Sequence, residues 1–270
     1  MEFFTHKFKS KHFTLYPLGD IHYGSLQCNV GFFQQVIKEI EGNPNAYWVG
    51  MGDFMENAVI GSKSDVYTQT VSPKVQMERI VEMLKPIKKK GLFLIGGNHE
   101  QRSHRLVGLI PEQYIGIQLG IPYKGFSCLA NLQVEGKTPN TFICYFHHNY
   151  GGGYTKGGKV NRAESLRRIT PGVNATFSAH FHTTSRIPAV WYEAGRTRVI
   201  KRTGYDYITG SALEWSGSYA EERAKPSASC ELIKVTFIGC TNGRSDNRKQ
   251  IYEVIMPHED YLGDKKCTKR

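Results

Sequence analysis

Five short apolar segments of this chain each run into residues that bind metal ions well, and this repetition constrains the fold most strongly. The polar blocks that follow the segments are, in chain order, Gly19-Asp20-Ile21-His22, Gly52-Asp53, Gly96-Gly97-Asn98-His99-Glu100, His147-His148 and His180-Phe181-His182. In an open α/β sheet, the loops after the carboxyl ends of the strands meet at one edge and build sites there. The pattern therefore predicts an α/β protein with carboxylate, amide and imidazole groups gathered at one sheet edge.

The N-terminal part of the chain alternates between strand and helix patterns. Near-continuous apolar runs predict buried strands at His12–Leu18, Tyr47–Met51 and Leu92–Ile95. Apolar residues at helical spacing predict helices over Gly31–Glu41 and Lys74–Lys90. This βαβαβ order favours a mostly parallel sheet with helices covering its faces.

The later part of the chain is richer in strands. Phe142–Phe146 and Ala175–Ala179 are predicted as strands, with a short basic helix over Arg162–Ile169 between them. Leu232–Ile238 and Gln250–Ile255 are expected to pair as a hairpin, because the residues between them favour turns. The C-terminal third is therefore expected to consist mainly of strands.

Length and composition indicate one globular domain over residues 1–257, followed by a flexible basic tail over residues 258–270. The chain is 40% hydrophobic and 12% aromatic, which is typical of folded proteins and not of disordered ones. Its apolar runs are shorter than the roughly 20 residues of a membrane-spanning helix. The N-terminus has no apolar stretch long enough for a signal peptide, and the six cysteines lack CxxC spacing. We therefore expect reduced thiols and a cytoplasmic protein that does not bind membranes.

The chain is strongly basic, with a formal net charge of +11 and a pI near 9.3. A positive surface attracts polyanions, so nucleic acid is an expected partner. The alternative is that lysines scattered over a solvated face only keep the protein soluble. The net charge by itself is compatible with both interpretations.

Taken together, the five blocks resemble the signature of the calcineurin-like metallophosphoesterase superfamily. They span residues 19–182, and the segment from His147 to Gly153 is similar to phosphoesterases often carried by phages. Two positions differ from the family pattern, since Ala179 replaces a glycine before His180 and Asn149 replaces a glycine after the His pair. The resemblance implies a four-layer α/β/β/α sandwich that hydrolyses phosphoesters. A phage-encoded protein would act in the host cytoplasm.

The resemblance also implies two divalent metal ions, with manganese expected and iron, zinc or nickel as alternatives. The implied ligands are Asp20, His22 and His182 for the first metal, Asp53 for both, and Asn98, His180 and one of His147 or His148 for the second. Oxygen and nitrogen donors together suit such metals better than calcium. The implied catalytic residue is His99, which would face the substrate phosphate and protonate the leaving oxygen with an ordinary imidazole pKa.

The pair His147-His148 leaves one ligand ambiguous. Alignment with the family pattern favours His148 as the ligand. Side chains alternate along a strand, so His147 would then point to the opposite face. His147 remains the alternative ligand.

Several residues near the blocks are candidates for substrate contacts. Lys156 and Lys159 follow a glycine-rich tract, and Arg102 follows the Asn-His pair, so all three could contact a phosphate. The same tract could instead be a flexible connector. Tyr150 flanks a ligand block and could stack on a base.

The leading functional hypothesis is a phosphodiesterase that cleaves nucleic acid, based on the basic charge and on resemblance to DNA-repair members of the superfamily. One alternative is a phosphatase or phosphodiesterase for small or cyclic nucleotides. A second alternative, from another class, is a non-catalytic metal-binding scaffold.

Overall fold

Eleven strands and six helices make up the part of the chain that the computed structural model describes, which is residues 1–62, 64–136, 140–151, 155–217, 219–222, 224, 230–239 and 250–258. The strands are Glu2–Lys7 (β1), His12–Leu18 (β2), Ala46–Gly50 (β3), Gly91–Leu94 (β4), Ser127–Val134 (β5), Asn140–His147 (β6), Ala175–Ser178 (β7), Thr184–Ala194 (β8), Val199–Ser211 (β9), Glu231–Ile238 (β10) and Gln250–Pro257 (β11). The helices are Val30–Gly42 (α1), Pro73–Leu84 (α2), Glu100–Val107 (α3), Pro111–Leu119 (α4), Lys156–Ser165 (α5) and Tyr219–Glu222 (α6).

The strands form one hydrogen-bonded path that folds into two halves. Their order is β1-β5-β6-β7-β9-β10-β2-β3-β4, with β8 paired to β9 and β11 paired to β10. Strands β2, β3 and β4 are parallel, with Leu18 opposite Gly50 at their carboxyl ends. Strands β6, β7 and β9 are also parallel. The predicted parallel βαβαβ arrangement is confirmed.

A core rich in aromatic rings lies between the two halves of the sheet. Phe13 on β2 stacks on Phe237 on β10, with ring centroids 4.8 Å apart. Phe142 on β6 meets Phe237 edge to face at 5.1 Å. All three rings are fully buried. This core packs the two halves of the sheet face to face.

Helices cover the outer faces of both halves. The buried residues of α1, α2 and α4 pack against β2, β3 and β4 in a second core, which includes Phe33, Ile80 and Ile115. Helix α5 packs on the other half, where Ala163 meets Phe181 and Ile208. The layers are therefore helix, sheet, sheet and helix, which confirms the expected four-layer sandwich.

Two helix boundaries differ from the sequence-based prediction. The helix predicted over Lys74–Lys90 ends at Leu84 and continues as a 3₁₀ segment, Lys85–Lys90. Pro86 has no N–H to continue the α-helical hydrogen bonds, which explains this change. The predicted Arg162–Ile169 helix is α5, which begins at Lys156 and gives way to a 3₁₀ segment after Ser165.

The C-terminal third is rich in strands, as expected. Strands β10 and β11 pair antiparallel, with Ile238 opposite Gln250, which confirms the hairpin. Most of its loop (residues 240–249), most of the predicted tail (residues 259–270) and Gly152–Tyr154 of the glycine-rich tract lie outside the described residues. None of the described helices combines the length and apolar character needed to cross a bilayer.

Candidate metal centre

The predicted ligand residues meet at one edge of the sandwich, each in the loop that follows a strand. The strands that lead to them are β2, β3, β4, β6 and β7. Asp20, His22, Asp53 and His148 are almost fully buried there. Residues that lie up to 160 positions apart in sequence are brought into hydrogen-bond distance. The predicted convergence of the five blocks is therefore present in the structure.

Five of the predicted ligands have an uncommon backbone conformation. The φ angles are 51° at Asp20, 51° at His22, 51° at Asp53, 75° at His180 and 49° at His182. A positive φ is uncommon for residues other than glycine and costs on the order of 1–3 kcal/mol at each position. Such conformations concentrate at functional sites, because the surrounding structure must stabilise them. Here they coincide with the residues that the sequence singled out.

Backbone hydrogen bonds join the loop after β2 to the loop after β3. The amide of Asp20 donates to the Gly52 carbonyl at 3.1 Å. The amides of Ile21 and His22 both donate to the Asp53 carbonyl, at 2.9 and 3.0 Å. These bonds fix the two aspartates relative to each other.

Two glycines allow the loops after β3 and β4 to touch. A Cβ atom on Gly97 would lie 2.2 Å from both the amide nitrogen and Oδ1 of Asp53. A Cβ atom on Gly52 would lie 2.4 Å from the Gly97 nitrogen, and Gly52 has a φ of +82°. Only residues without a side chain fit at these positions. The contact sets the distance between Asp53 and Asn98.

We expect Gly97→Ala to destabilise the protein by about 1–3 kcal/mol, because the new methyl group must displace the Asp53 backbone. Metal occupancy should fall as well. Thermal unfolding and metal analysis would measure both effects. Gly42→Ala is the matched control, since a Cβ atom there meets nothing within 4 Å. Normal stability and metal content in Gly97→Ala would contradict this account of the loop contact.

Each of the two buried aspartates has one satisfied and one unsatisfied oxygen. Oδ1 of Asp53 accepts from the His99 amide at 2.8 Å, and Oδ2 of Asp20 accepts from the His180 amide at 2.6 Å. Asp53 Oδ2 and Asp20 Oδ1 are buried, face imidazole nitrogens at 3.1 to 4.0 Å and form no well-aligned hydrogen bond within the described residues. A buried carboxylate oxygen without a partner is costly unless a cation or donor compensates it. These two oxygens therefore fit divalent metal ions.

The first cluster of donor atoms consists of Asp20, His22 and His182. Asp20 Oδ1 lies 3.8 Å from His22 Nε2 and 3.6 Å from His182 Nε2. The two imidazole Nε2 atoms are 3.1 Å apart. One carboxylate and two imidazoles suit a transition-metal ion better than calcium.

The second cluster consists of Asp53, His148 and His180. His148 Nε2 lies 3.1 Å from Asp53 Oδ2 and 3.1 Å from the amide oxygen of Asn98. Asp53 Oδ2 is also 3.9 Å from His22 Nε2 of the first cluster. Asp53 therefore stands between the two clusters, in the position of a shared ligand.

The structure separates the two adjacent histidines by their surroundings. His148 is buried beside Asp53, and its Nδ1 donates to the Met51 carbonyl at 2.7 Å, which directs Nε2 into the cluster. His147 Nδ1 instead accepts from the Asn149 amide at 2.6 Å. This placement favours His148 as the ligand.

We expect His148→Ala to lose metal from the second cluster, whereas His147→Ala should retain both metals. The reason is that only His148 presents a nitrogen to Asp53 and Asn98. Metal analysis of the two purified variants is a direct comparison, because the substitutions are identical and adjacent. Loss of metal from His147→Ala alone would contradict the assignment.

The pKa values of two candidate ligands, His22 and His148, are raised. Burial disfavours the charged imidazole of His22, but the carboxylates of Asp20 and Glu56 outweigh burial and raise its pKa to about 10. Burial likewise disfavours charge on His148, and Asp53 raises its pKa to about 10. A metal binds the neutral imidazole, so it must displace these protons.

We therefore expect metal loading near pH 7 to release about two protons per chain. The sign follows from the pKa values, which lie above the pH of the experiment, so both imidazoles start protonated and end neutral. Metal affinity should rise as the pH increases towards 10. Calorimetric titrations in buffers with different ionisation enthalpies would count the protons. Release of no protons would contradict the raised pKa values.

His99 lies beside both clusters but differs from the ligands in its hydrogen bonding. Its Nδ1 is 2.8 Å from the Glu56 carbonyl, which can only accept, so Nδ1 carries the proton. Its Nε2 lies 4.0 Å from Asp53 Oδ2. The ordinary pKa expected from the sequence was wrong, since burial lowers the pKa of His99 to about 3. His99 is therefore neutral near pH 7, with an unprotonated Nε2 towards the site.

Two buried glutamates, Glu100 and Glu112, and the half-buried Glu56 support the site, and no role was predicted for any of them from the sequence. The Glu56 carboxylate lies 3.2 Å from His22 Nδ1. Glu100 accepts from the amide of Asp53 at 2.9 Å, and Glu112 accepts from the amide of Gly97 at 2.7 Å. Glu100 ends the Asn-His block, so its position in the sequence could have identified it as part of the site. The position of Glu112 on α4 offered no such signal.

The predicted substrate-binding cations have different surroundings. Arg102 Nη1 donates to the Glu56 carbonyl at 3.0 Å and to Ser64 Oγ at 3.0 Å, so it braces the loop after β3. Lys159 Nζ donates to the Phe181 carbonyl at 2.9 Å, between the predicted ligands His180 and His182. Lys156 is exposed at the start of α5. A role in substrate binding stays a prediction for all three.

The fold and this cluster define a class of protein, an α/β sandwich with a buried site for divalent metals at the sheet edge. The chain belongs to the calcineurin-like phosphoesterase family, whose sequence profile matches residues 14–184. That match covers more than half of the chain and includes every predicted metal ligand. The resemblance stated from the sequence is therefore confirmed, and the general activity of the family is phosphoester hydrolysis.

Comparison with other proteins adds remote structural similarities. No curated protein matches the chain. A predicted phosphoesterase from Streptococcus pneumoniae is 9% identical, with a TM-score of 0.37 over 90% of this chain and 98% of that one. Vps29 from Entamoeba histolytica, in complex with zinc, is 12% identical, with a TM-score of 0.38 over 90% of this chain and 98% of that one. A protein of unknown function from Aquifex aeolicus is 15% identical, with a TM-score of 0.32 over 63% of this chain and 79% of that one. The family assignment therefore depends on the profile match.

Proposed function

We propose that this protein is a phosphodiesterase that cleaves nucleic acid with the help of two divalent metal ions, manganese being the expected metal. The metals would be held by Asp20, His22 and His182 on one side and by Asn98, His148 and His180 on the other, with Asp53 shared. The observation that carries the proposal is the pair of unsatisfied carboxylate oxygens, Asp20 Oδ1 and Asp53 Oδ2, buried among these imidazoles.

Bound metals would supply an activated water molecule and would offset negative charge on the phosphate oxygens. The protein fixes the donors in place, because the two aspartates are already held by backbone amides. Rigid positioning of this kind avoids reorganisation during the reaction. The loops therefore contribute geometry as well as ligands.

His99 would transfer a proton to the leaving oxygen. Its Nδ1–H is held by the Glu56 carbonyl, so Nε2 is the ring nitrogen of His99 that can take up or give a proton. Because His99 is neutral, Nε2 would take a proton from the attacking water and pass it to the leaving oxygen. This role refines the simple acid role expected from the sequence.

The basic character of the chain supports a nucleic acid as the substrate. The net charge is +11, and helix α5 carries three cations, Lys156, Lys159 and Arg162. The hydrogen bond from Lys159 to the Phe181 carbonyl ties this helix to the loop of His180 and His182. A phosphodiester backbone that leaves the metal site on this side would meet positive charge.

Cleavage assays separate this proposal from action on small esters. Purified protein with manganese is incubated with a plasmid, with a single-stranded oligonucleotide and with bis(p-nitrophenyl) phosphate. We expect all three to be hydrolysed, and we expect cleavage of the nucleic acids to fall steeply as salt is added. Hydrolysis of the small ester alone would overturn the choice of nucleic acid as the substrate.

A further inference from the structure

An exposed tyrosine stands at the rim of the metal cluster. Tyr150 is 63% exposed. Its ring lies 6.4 Å from the His180 imidazole, centroid to centroid, with only 12° between the two planes. The tyrosine ring therefore lies nearly parallel to the side chain of a predicted metal ligand. A group stacked on this ring would be directly beside the site.

The backbone of Tyr150 is held by a network of polar contacts. Asn149 is buried with a φ of 75°, and its Nδ2 donates to Ser178 Oγ at 2.8 Å. Its Oδ1 accepts from the Tyr150 amide at 2.8 Å, and its own amide donates to His147 Nδ1. Because buried side chains fix this backbone, the exposed ring projects from a rigid base.

A cation lies next to the tyrosine. Arg162 Nε on helix α5 donates to the Tyr150 carbonyl at 3.3 Å. Its Nη2 would lie 3.8 Å from a Cβ atom on Gly151, so the guanidinium lies along the same backbone. An aromatic face and a positive charge are thus presented together at the edge of the site.

Such a pair has the chemistry of a nucleotide subsite. Bases stack on exposed aromatic rings regardless of their identity, and cations beside the ring attract the sugar-phosphate backbone. A solvent-exposed aromatic ring gains little for the fold, since packing inside the core is what stabilises such rings. A rigidly held, exposed ring beside a phosphoesterase site therefore points to a ligand.

We propose that Tyr150 stacks on the nucleobase adjacent to the scissile phosphate, so that the substrate class is a base-bearing nucleotide chain. The inference rests on the proposed nucleic acid cleavage, but it concerns binding of the base and is tested by binding.

The test compares a short thymidine oligonucleotide with a strand of the same length that lacks the bases. Both strands carry phosphorothioate linkages that resist cleavage, and affinities are measured on the manganese-loaded protein. We expect the wild type to bind the base-bearing strand roughly 10-fold more tightly. Tyr150→Ala should lose this preference and bind the abasic strand as the wild type does. Tyr150→Phe should keep the preference, because it retains the ring.

Tyr192 provides the matched control. It is 67% exposed, close to the value for Tyr150. It lies on β8, roughly 26 Å along the strand from Thr184, the residue at which β8 begins just after the His180-Phe181-His182 block. Tyr192→Ala should bind both strands like the wild type. Equal loss by this variant would show that exposed tyrosines in general attract the strand and would overturn the inference.

The remaining outcomes also decide the question. Equal affinity of the wild type for the two strands would overturn the inference, and so would a Tyr150→Ala variant that weakens both strands alike. A base preference that depends on Tyr150, in a protein that cleaves no cleavable oligonucleotide, would retain the stacking site and reject nuclease action. Failure of the inference and failure of the proposed function are therefore distinguishable.

Discussion

Replacing Asp53 with asparagine is expected to remove the metals and to abolish phosphoester hydrolysis. Asp53 Oδ2 lies 3.1 Å from His148 Nε2 and 3.9 Å from His22 Nε2, so one carboxylate serves both donor clusters. Asparagine keeps the shape, and its carbonyl can still accept from the His99 amide. It removes the negative charge that offsets two cations.

The expected loss of metal affinity exceeds about 100-fold, because even residues that only orient metal ligands contribute 10- to 100-fold. Metal content after dialysis and turnover of bis(p-nitrophenyl) phosphate are the two measurements. Asp65→Asn makes the same chemical change at an exposed aspartate in the loop after β3 and should leave both unchanged. An Asp53→Asn protein that retains both metals would contradict the shared-ligand role.

Replacing His99 with alanine is expected to lower turnover by about 10²- to 10⁴-fold while both metals stay bound. His99 is close enough to Asp53 and His22 to be counted with them as a possible ligand, so distance alone does not define its role. Its hydrogen bond to the Glu56 carbonyl leaves Nε2 free to exchange a proton with the substrate.

Metal analysis beside steady-state kinetics separates the two roles. A proton-transfer residue affects kcat, whereas a ligand affects metal occupancy first. His104 is an exposed histidine on α3, the helix that begins directly after His99. His104→Ala should behave like the wild type. Full turnover in His99→Ala, or loss of metal from it, would show that the assigned role is wrong.

The sequence predicted the frame of the site because the frame depends on simple patterns. The apolar strand His12–Leu18 was predicted with its observed limits, and Asp20 follows it in the loop as expected. Parallel strands order their carboxyl ends at one edge, so the blocks that follow them must meet there. Convergence of the predicted ligands was therefore accessible from the sequence.

Features that depend on tertiary contacts were not accessible. Strands β1 and β5 were not predicted. They pair with each other although about half of the chain separates them, and a local sequence pattern does not show such a pairing. The positive φ values of the predicted ligands arise from contacts between loops that are remote in sequence. The low pKa of His99 follows from burial, which the sequence did not show.

The most direct test of the account is a titration of metal-free protein with manganese while hydrolysis of bis(p-nitrophenyl) phosphate is followed. Two donor clusters with Asp53 between them predict that activity rises to a plateau at about two manganese ions per chain. The Asp53→Asn variant should show no rise. A plateau at one ion per chain, or no hydrolysis at any manganese concentration, would contradict a phosphoesterase with two metals.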